Sequence, residues 1–222
     1  MTDTPLAVEQ PSQAQSPSRL RDGSRFFFDS LRARPVARRI LSGFSIVTAV
    51  VAIGMLAYPL YTNWQQDRLQ SKLAIQLHSP QNKAAYAAGH TPEGDALTRL
   101  VIPTLKVDTV VVEGTGASAL RAGAGHYPNT PLPGEEGNVA IAGHRTTYGK
   151  PFANVDRMEV GDEILLETPL GQHVYRVTRP PFVVANNDFT VISQTPGRSL
   201  TLTTCHPRGS ARQRLIIRAE KV

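Results

Sequence analysis

Leu200–Glu220 reads LTLTTCHPRGSARQRLIIRAE. From Leu200 to Cys205 apolar and polar residues alternate, the period-2 pattern of a half-buried strand. Pro207, Gly209 and Ser210 break the pattern, and a β-branched run resumes in RLIIRAE. So short and turn-rich a connection makes the two runs antiparallel neighbours. Cys205, the only cysteine in the 222-residue chain, ends the first strand. Arg214 starts the second, at the sequence distance such neighbours require.

Upstream the same texture continues. LTRLVIPTL, DTVVVEG, NVAIAGH, EILLETP, HVYRVTR and PFVVANN are short β-rich runs separated by Gly, Pro, Asn or Asp. VGDEILLETPLGQHVYRV predicts a hairpin with PLGQ at its turn, and PFANVDRME a single helical turn. No long helical period and no internal repeat interrupts this region. The expectation is an all-β, closed, mainly antiparallel fold of about 125 residues over 96–222.

The N-terminal part differs. Residues 1–18 are rich in Pro, Ser, Gln and Thr and read as disordered tail. Arg19, Arg21, Arg25, Arg32, Arg34, Arg38 and Arg39 follow. Ile40–Tyr61, ILSGFSIVTAVVAIGMLAYPLY, holds no charged side chain. At about 1.5 Å per residue it spans a hydrocarbon core of about 30 Å. Tyr58, Tyr61 and Trp64 suit the far interface, and the arginines suit the cytoplasmic one. The reading is therefore a single-pass anchor, N-terminus cytoplasmic and everything after Trp64 exported. A cleaved signal peptide, with Ala52–Gly54 as a crude processing site, and a soluble core helix are the other readings of this run. Leu69, Leu73 and Leu77 give 63–78 a loose helical period, and the segment from Pro80 suits a flexible spacer. The expected organisation is a basic tail at 1–39, anchor at 40–61, stalk at 62–95 and catalytic domain at 96–222.

The net charge of +6 points to acidic partners. The arginines cluster in 19–39, beside the apolar run, rather than as a stripe with aromatics on the β domain, which argues against nucleic acid and for a membrane surface. No CxxC or HxxxH spacing is present, so a structural zinc site is not expected. Phosphate-binding glycine loops are absent. The carboxylates of PGEEGN and Asp188 do not form a calcium loop. No cofactor or metal is expected.

An exported chain with one cysteine cannot close an internal disulfide, so Cys205 is either a reactive thiol or a small buried hydrophobe. A nucleophilic thiol needs a base and a donor for developing carbonyl charge. His206 adjoins Cys205, but successive strand residues point to opposite faces. His173 lies mid-strand. His126 and His144 both sit at glycine-containing loops, and residue type alone does not separate them. Arg214 offers a guanidinium fork suited to an oxyanion; Arg212 and Arg218 read as a solvated strand face.

TLTTC closely resembles the sortase active-site signature, NVAIAGHRT the segment carrying the sortase histidine, and RLIIRA the following strand that begins with the essential arginine. Order and spacing agree from Leu97 to Val222. EGTGASALRAGAGHYPNTPLPGEEGNVAIAGHRTTYGKPF with TTCHP is most similar to the class E sortases of high-GC Gram-positive bacteria. The resemblance implies a sortase-type β-barrel of about eight strands with short helices, behind a single transmembrane helix. It implies Cys205 as nucleophile, His144 as acid/base and Arg214 as substrate and oxyanion stabiliser. Thr204 and, more loosely, Tyr127 are implied substrate contacts. The implied reaction cleaves an exported protein between Thr and Gly of a C-terminal Leu-Ala-x-Thr-Gly or Leu-Pro-x-Thr-Gly motif. A thioacyl-enzyme then passes the protein to an amine of a lipid-linked peptidoglycan precursor. A pilin-polymerising sortase, which would be expected to carry a lid loop and a second membrane segment, is one alternative. A non-catalytic, membrane-anchored wall-binding β module is another, and a hydrolase using water as acceptor a third.

Overall fold

The computed structural model describes residues 35–222, so the tail expected at 1–39 lies almost wholly outside the described residues. Helix α1 runs from Pro35 to Leu77. The chain divides into two units between Ala57 and Tyr58. Arg39–Tyr58 is long and apolar enough to cross a membrane, and none of it is buried.

The second unit is a β-barrel. Its strands are β1 (Ala96–Ile102), β2 (Val107–Glu113), β3 (Ala124–His126), β4 (Gly137–Gly143), β5 (Glu163–Thr168), β6 (Gly171–Val177), β7 (Phe182–Ala185), β8 (Arg198–His206) and β9 (Gln213–Lys221). They follow the order β6-β5-β1-β2-β3-β4-β8-β9, and β9 closes on β6. One edge of β9 is shared: Gln213–Ile216 pairs with β7 and Ala219–Lys221 with β6. Eight strands therefore close the barrel and β7 lies alongside. The runs read from the sequence all become strands, and Pro169–Leu170 form the expected two-residue turn between Thr168 and Gly171. The added strand is β3, three residues of AGH with no β-branched side chain to announce it.

Alternation fills the interior. Leu200 and Leu202 of β8 join Val139 and Ile141 of β4 and Leu215, Ile217 and Ala219 of β9 in the main core. The outward residues of the same strands are also covered. Asn138 Nδ2 donates to the carbonyls of Val191 and Ser193, at 3.1 Å each, which holds the Phe189–Ile192 turn over β4 and β8. On β2, Val111 faces the core while Val110 and Val112 pack outward against Leu73 and Leu77 of α1 and Ala119 and Ala122 of α3 (Ala117–Ala122). This two-sided burial is why VVV reads as an unbroken apolar run.

Residues 66–86 are part of this packing rather than a flexible spacer. Leu77 is fully buried. Gln70 pairs with Val110 as a strand would, accepting from its N–H at 2.7 Å and donating to its carbonyl at 3.4 Å. Beyond it, Ser79 caps helix α2 (Pro80–Ala87), whose Tyr86 is buried. Leu73 and Leu77 thus have partners in the outward valines of β2, while Leu69 stays exposed.

Candidate active site

Strands β4 and β8 are parallel neighbours, with Ala140 beside Thr201 and Ala142 beside Thr203. Both strands end at the same rim of the barrel. One step past the ladder, Thr204 Oγ1 donates to the Gly143 carbonyl at 2.7 Å; His144 and Cys205 are the next residues along the two segments. On the other side of β8, Cys205 pairs with Arg214 of β9. Side chains alternate along a strand, so Cys205 shares its face of β8 with Thr203 and Thr201, and Arg214 shares its face of β9 with Ile216. All of these are outward. Cys205 and Arg214 therefore meet across β8 and β9, and His144 directly follows the end of β4, the neighbour on the other edge of β8.

Arg214 Nη1 lies 3.7 Å from Cys205 Sγ and also donates to the carbonyls of Ala211 and Gln213 at 3.1 and 3.3 Å. Its Nε and Nη2 have no hydrogen-bond partner among the described residues, which leaves two donors for an incoming oxygen. Cys205 is half-buried and unpaired. His144 is half-buried, and that burial holds its pKa below the ordinary imidazole value by disfavouring the charged ring. The Tyr148 ring packs on it at 5.2 Å between centroids. Gly143 is required by close packing: a Cβ there would stand 2.5 Å from Phe152 Cδ2, and Phe152 is fully buried.

His126 is placed otherwise. It is 1% exposed, with Nδ1 2.8 Å from Glu113 Oε2 and Nε2 within 3.0 Å of Thr130 Oγ1 and 3.1 Å of the Pro131 carbonyl. Thr130 gives its own proton to the Tyr127 carbonyl, so Nε2 is the donor. Both ring nitrogens are engaged in tying β2, β3 and the following loop. His206 turns away from Cys205 and accepts from Arg145, and His173 lies on β6.

The Thr204 side chain is buried, with its hydroxyl committed to Gly143. It ties the cysteine strand to the histidine strand instead of facing outward. Tyr127 OH meets Thr203 Oγ1 at 3.1 Å, on the same face of β8 as Cys205 and two residues away. Sequence reasoning did not single out Arg145, Asp156 or Tyr148. Arg145 is buried beside Cys205, with its guanidinium on Asp156. The sequence signal was the charged residue directly after His144. Its partner 11 residues on is visible only once the loop folds back. Tyr148 also lines a cavity of about 280 Å³ with Gln66, Gln70 and Lys150, which Cys205 and Arg214 do not line. Among the described residues no group of three His, Cys, Asp or Glu side chains is arranged to hold a metal ion.

The sortase domain family model matches residues 100–222. Sortase E1 of Streptomyces coelicolor is 29% identical over 201 residues, covering 83% of this chain and 57% of that protein's own length. Among solved structures, sortase E from Streptomyces avermitilis is 37% identical, covers 59% of this chain and 90% of its own, and superposes with a TM-score of 0.54. A Clostridium perfringens sortase D5 transpeptidase is 29% identical, covers 71% of this chain and 98% of its own, and reaches a TM-score of 0.62. With the barrel, the strand ends and these matches in agreement, the chain belongs to the sortase family of cysteine transpeptidases.

Proposed function

We propose that this chain is a membrane-anchored sorting enzyme. It cleaves a Leu-Ala-x-Thr-Gly or Leu-Pro-x-Thr-Gly motif of an exported protein between Thr and Gly, and joins the new carboxyl end to an amine of a peptidoglycan precursor. The observation that carries this reading is the contact of Arg214 Nη1 with Cys205 Sγ at 3.7 Å; it is supported by the β4–β8 pairing, since β4 leads directly into His144.

In this reading His144, neutral because burial disfavours its charged form, takes the thiol proton. The thiolate attacks the threonine carbonyl carbon, and the electron pair moving onto oxygen meets the free donors of Arg214. Collapse breaks the C–N bond, and His144 returns its proton to the departing glycine amine. The acceptor amine then loses a proton to His144 as it attacks the thioester, and the sulfur leaves as the thiol. One residue acts first as acid and then as base. Tyr127, whose hydroxyl lies on Thr203, contacts the bound motif along β8, and Thr204 acts through position alone.

The membrane assignment rests on Arg39–Tyr58 and on the arginines that precede it, which favour a cytoplasmic N-terminus. Tethering raises the effective concentration of substrates held at the same surface. The test is mass spectrometry of products from the two motif peptides, with and without an amine acceptor. A Thr-linked acceptor product absent from Cys205→Ala is expected. Release of free threonine carboxylate with acceptors ignored would instead make the chain a hydrolase.

A further inference from the structure

We propose that Arg145 is a positioning residue that holds the nucleophile strand to the base strand where their β-ladder stops. The proposal rests on the transpeptidase reading above and extends it to a residue that touches no substrate. The parallel β4–β8 pairing ends at Ala142 and Thr203, short of both reacting side chains. Two side-chain bridges continue it. Thr204 to the Gly143 carbonyl, at 2.7 Å, joins the residues that precede the pair. Arg145 joins the residues that follow: Nη1 donates to the Cys205 carbonyl at 3.4 Å and to His206 Nδ1 at 3.0 Å. His206 points to the opposite face of β8 from Cys205, so this bridge reaches the nucleophile strand from the side away from the thiol.

The bridge is anchored in turn. Arg145 Nη2 meets Asp156 Oδ2 at 3.1 Å. Arg208 Nη2 meets Asp156 Oδ1 at 3.4 Å and Asn154 Oδ1 at 3.0 Å. The loop after His144 and the turn after Cys205 are thereby tied through one carboxylate. Arg145 is 5% exposed, and its buried Nε has no partner among the described residues. Burying a guanidinium against a single carboxylate is an inefficient way to stabilise a fold. Its planar fork, however, suits two acceptors on one strand and a carboxylate on the separate Val155–Arg157 turn. The groups facing it are Asp156, Arg208 and His206, with Cys205, His144 and Arg214 across the strands. Arg145, Asp156 and Arg208 together carry one net positive charge, held next to the Cys205 peptide.

The test uses the full chain in detergent, with kcat and KM on a motif peptide and the pH dependence of Cys205 alkylation by iodoacetamide. Arg145→Met is expected to lower kcat about 100-fold while KM stays within about threefold, and to move the alkylation midpoint to higher pH. Arg145→Lys keeps the charge but not the fork, so it should restore the midpoint and only part of kcat. An unchanged kcat in Arg145→Met, or a loss that follows only the folded fraction with the midpoint unmoved, overturns the proposal. If Arg145→Met does not fold, Arg145→Lys decides: a kcat lower by about tenfold or more at an unmoved midpoint supports it, and wild-type kcat overturns it. A wild-type chain that leaves the peptide uncleaved would refute the sorting reading instead, while the alkylation arm would still report on Arg145.

Discussion

His144 must be neutral to take a proton from a thiol, and burial biases it that way. The sign is definite: lowering the imidazolium pKa moves the acid limb of kcat/KM downward. That limb is expected below pH about 6.5, the ordinary imidazole value. A limb at or above it would mean that an opposing charge, not burial, governs the ring. Arg214 gives a second expectation. Arg214→Ala should lower kcat by about 100- to 1000-fold, as loss of an oxyanion donor does, with Arg214→Lys only partly restoring it. An effect confined to KM would make the residue a ground-state binder. At this scale Cys205 was legible because it is the only cysteine in the chain and ends an alternating strand pattern. His144 was not separable from His126 by residue type. What separates them is a partner for each nitrogen of His126, Glu113 among them, and no ring hydrogen bond for His144 among the described residues.

Strand runs were legible wherever β-branched residues alternate or cluster, as in β5, β6, β8 and β9. Two features were not. β3 is glycine-rich and has no pattern of its own. The parallel pairing of β4 with β8 joins segments more than 50 residues apart, and nothing local in either strand specifies its neighbour. That pairing nonetheless builds the site, because only parallel neighbours end at the same rim. It also fixes Gly143. Gly143→Ala sets a methyl against the fully buried Phe152, and overpacking of this kind costs about 1–3 kcal/mol. Urea unfolding should show that loss, together with reduced kcat because the shift begins one residue from His144. Unchanged stability would mean that Phe152 repacks freely. Thr204→Val leaves the Gly143 carbonyl without its 2.7 Å donor; the expected cost is about 1–3 kcal/mol, with kcat lowered and KM little moved.

At the scale of the molecule, the sequence separates an apolar helix from a β domain but misjudges what lies between. Small residues and prolines in 80–95 suggest a spacer. Packing decides otherwise for its first half, where Pro80–Ala87 is helical with Asn82 and Tyr86 buried; before it, Leu73 and Leu77 cover the outward Val110 and Val112. We propose that the independently folding unit begins near Tyr58. Burial of Leu73 and Leu77 stabilises it by about 3–6 kcal/mol in all. A chain beginning at Thr62 should therefore melt about 10 °C or more above one beginning at Ala96. Equal melting temperatures would return 62–95 to the status of a linker. The central claim, covalent catalysis by Cys205, is tested most directly by intact-mass measurement of the enzyme mixed with a motif peptide and no acceptor. The account predicts a transient adduct of the peptide up to its threonine, bound to Cys205 through a hydroxylamine-labile thioester and discharged when an amine is added. Peptide cleavage without any such adduct, or an adduct that persists in Cys205→Ala, would contradict it.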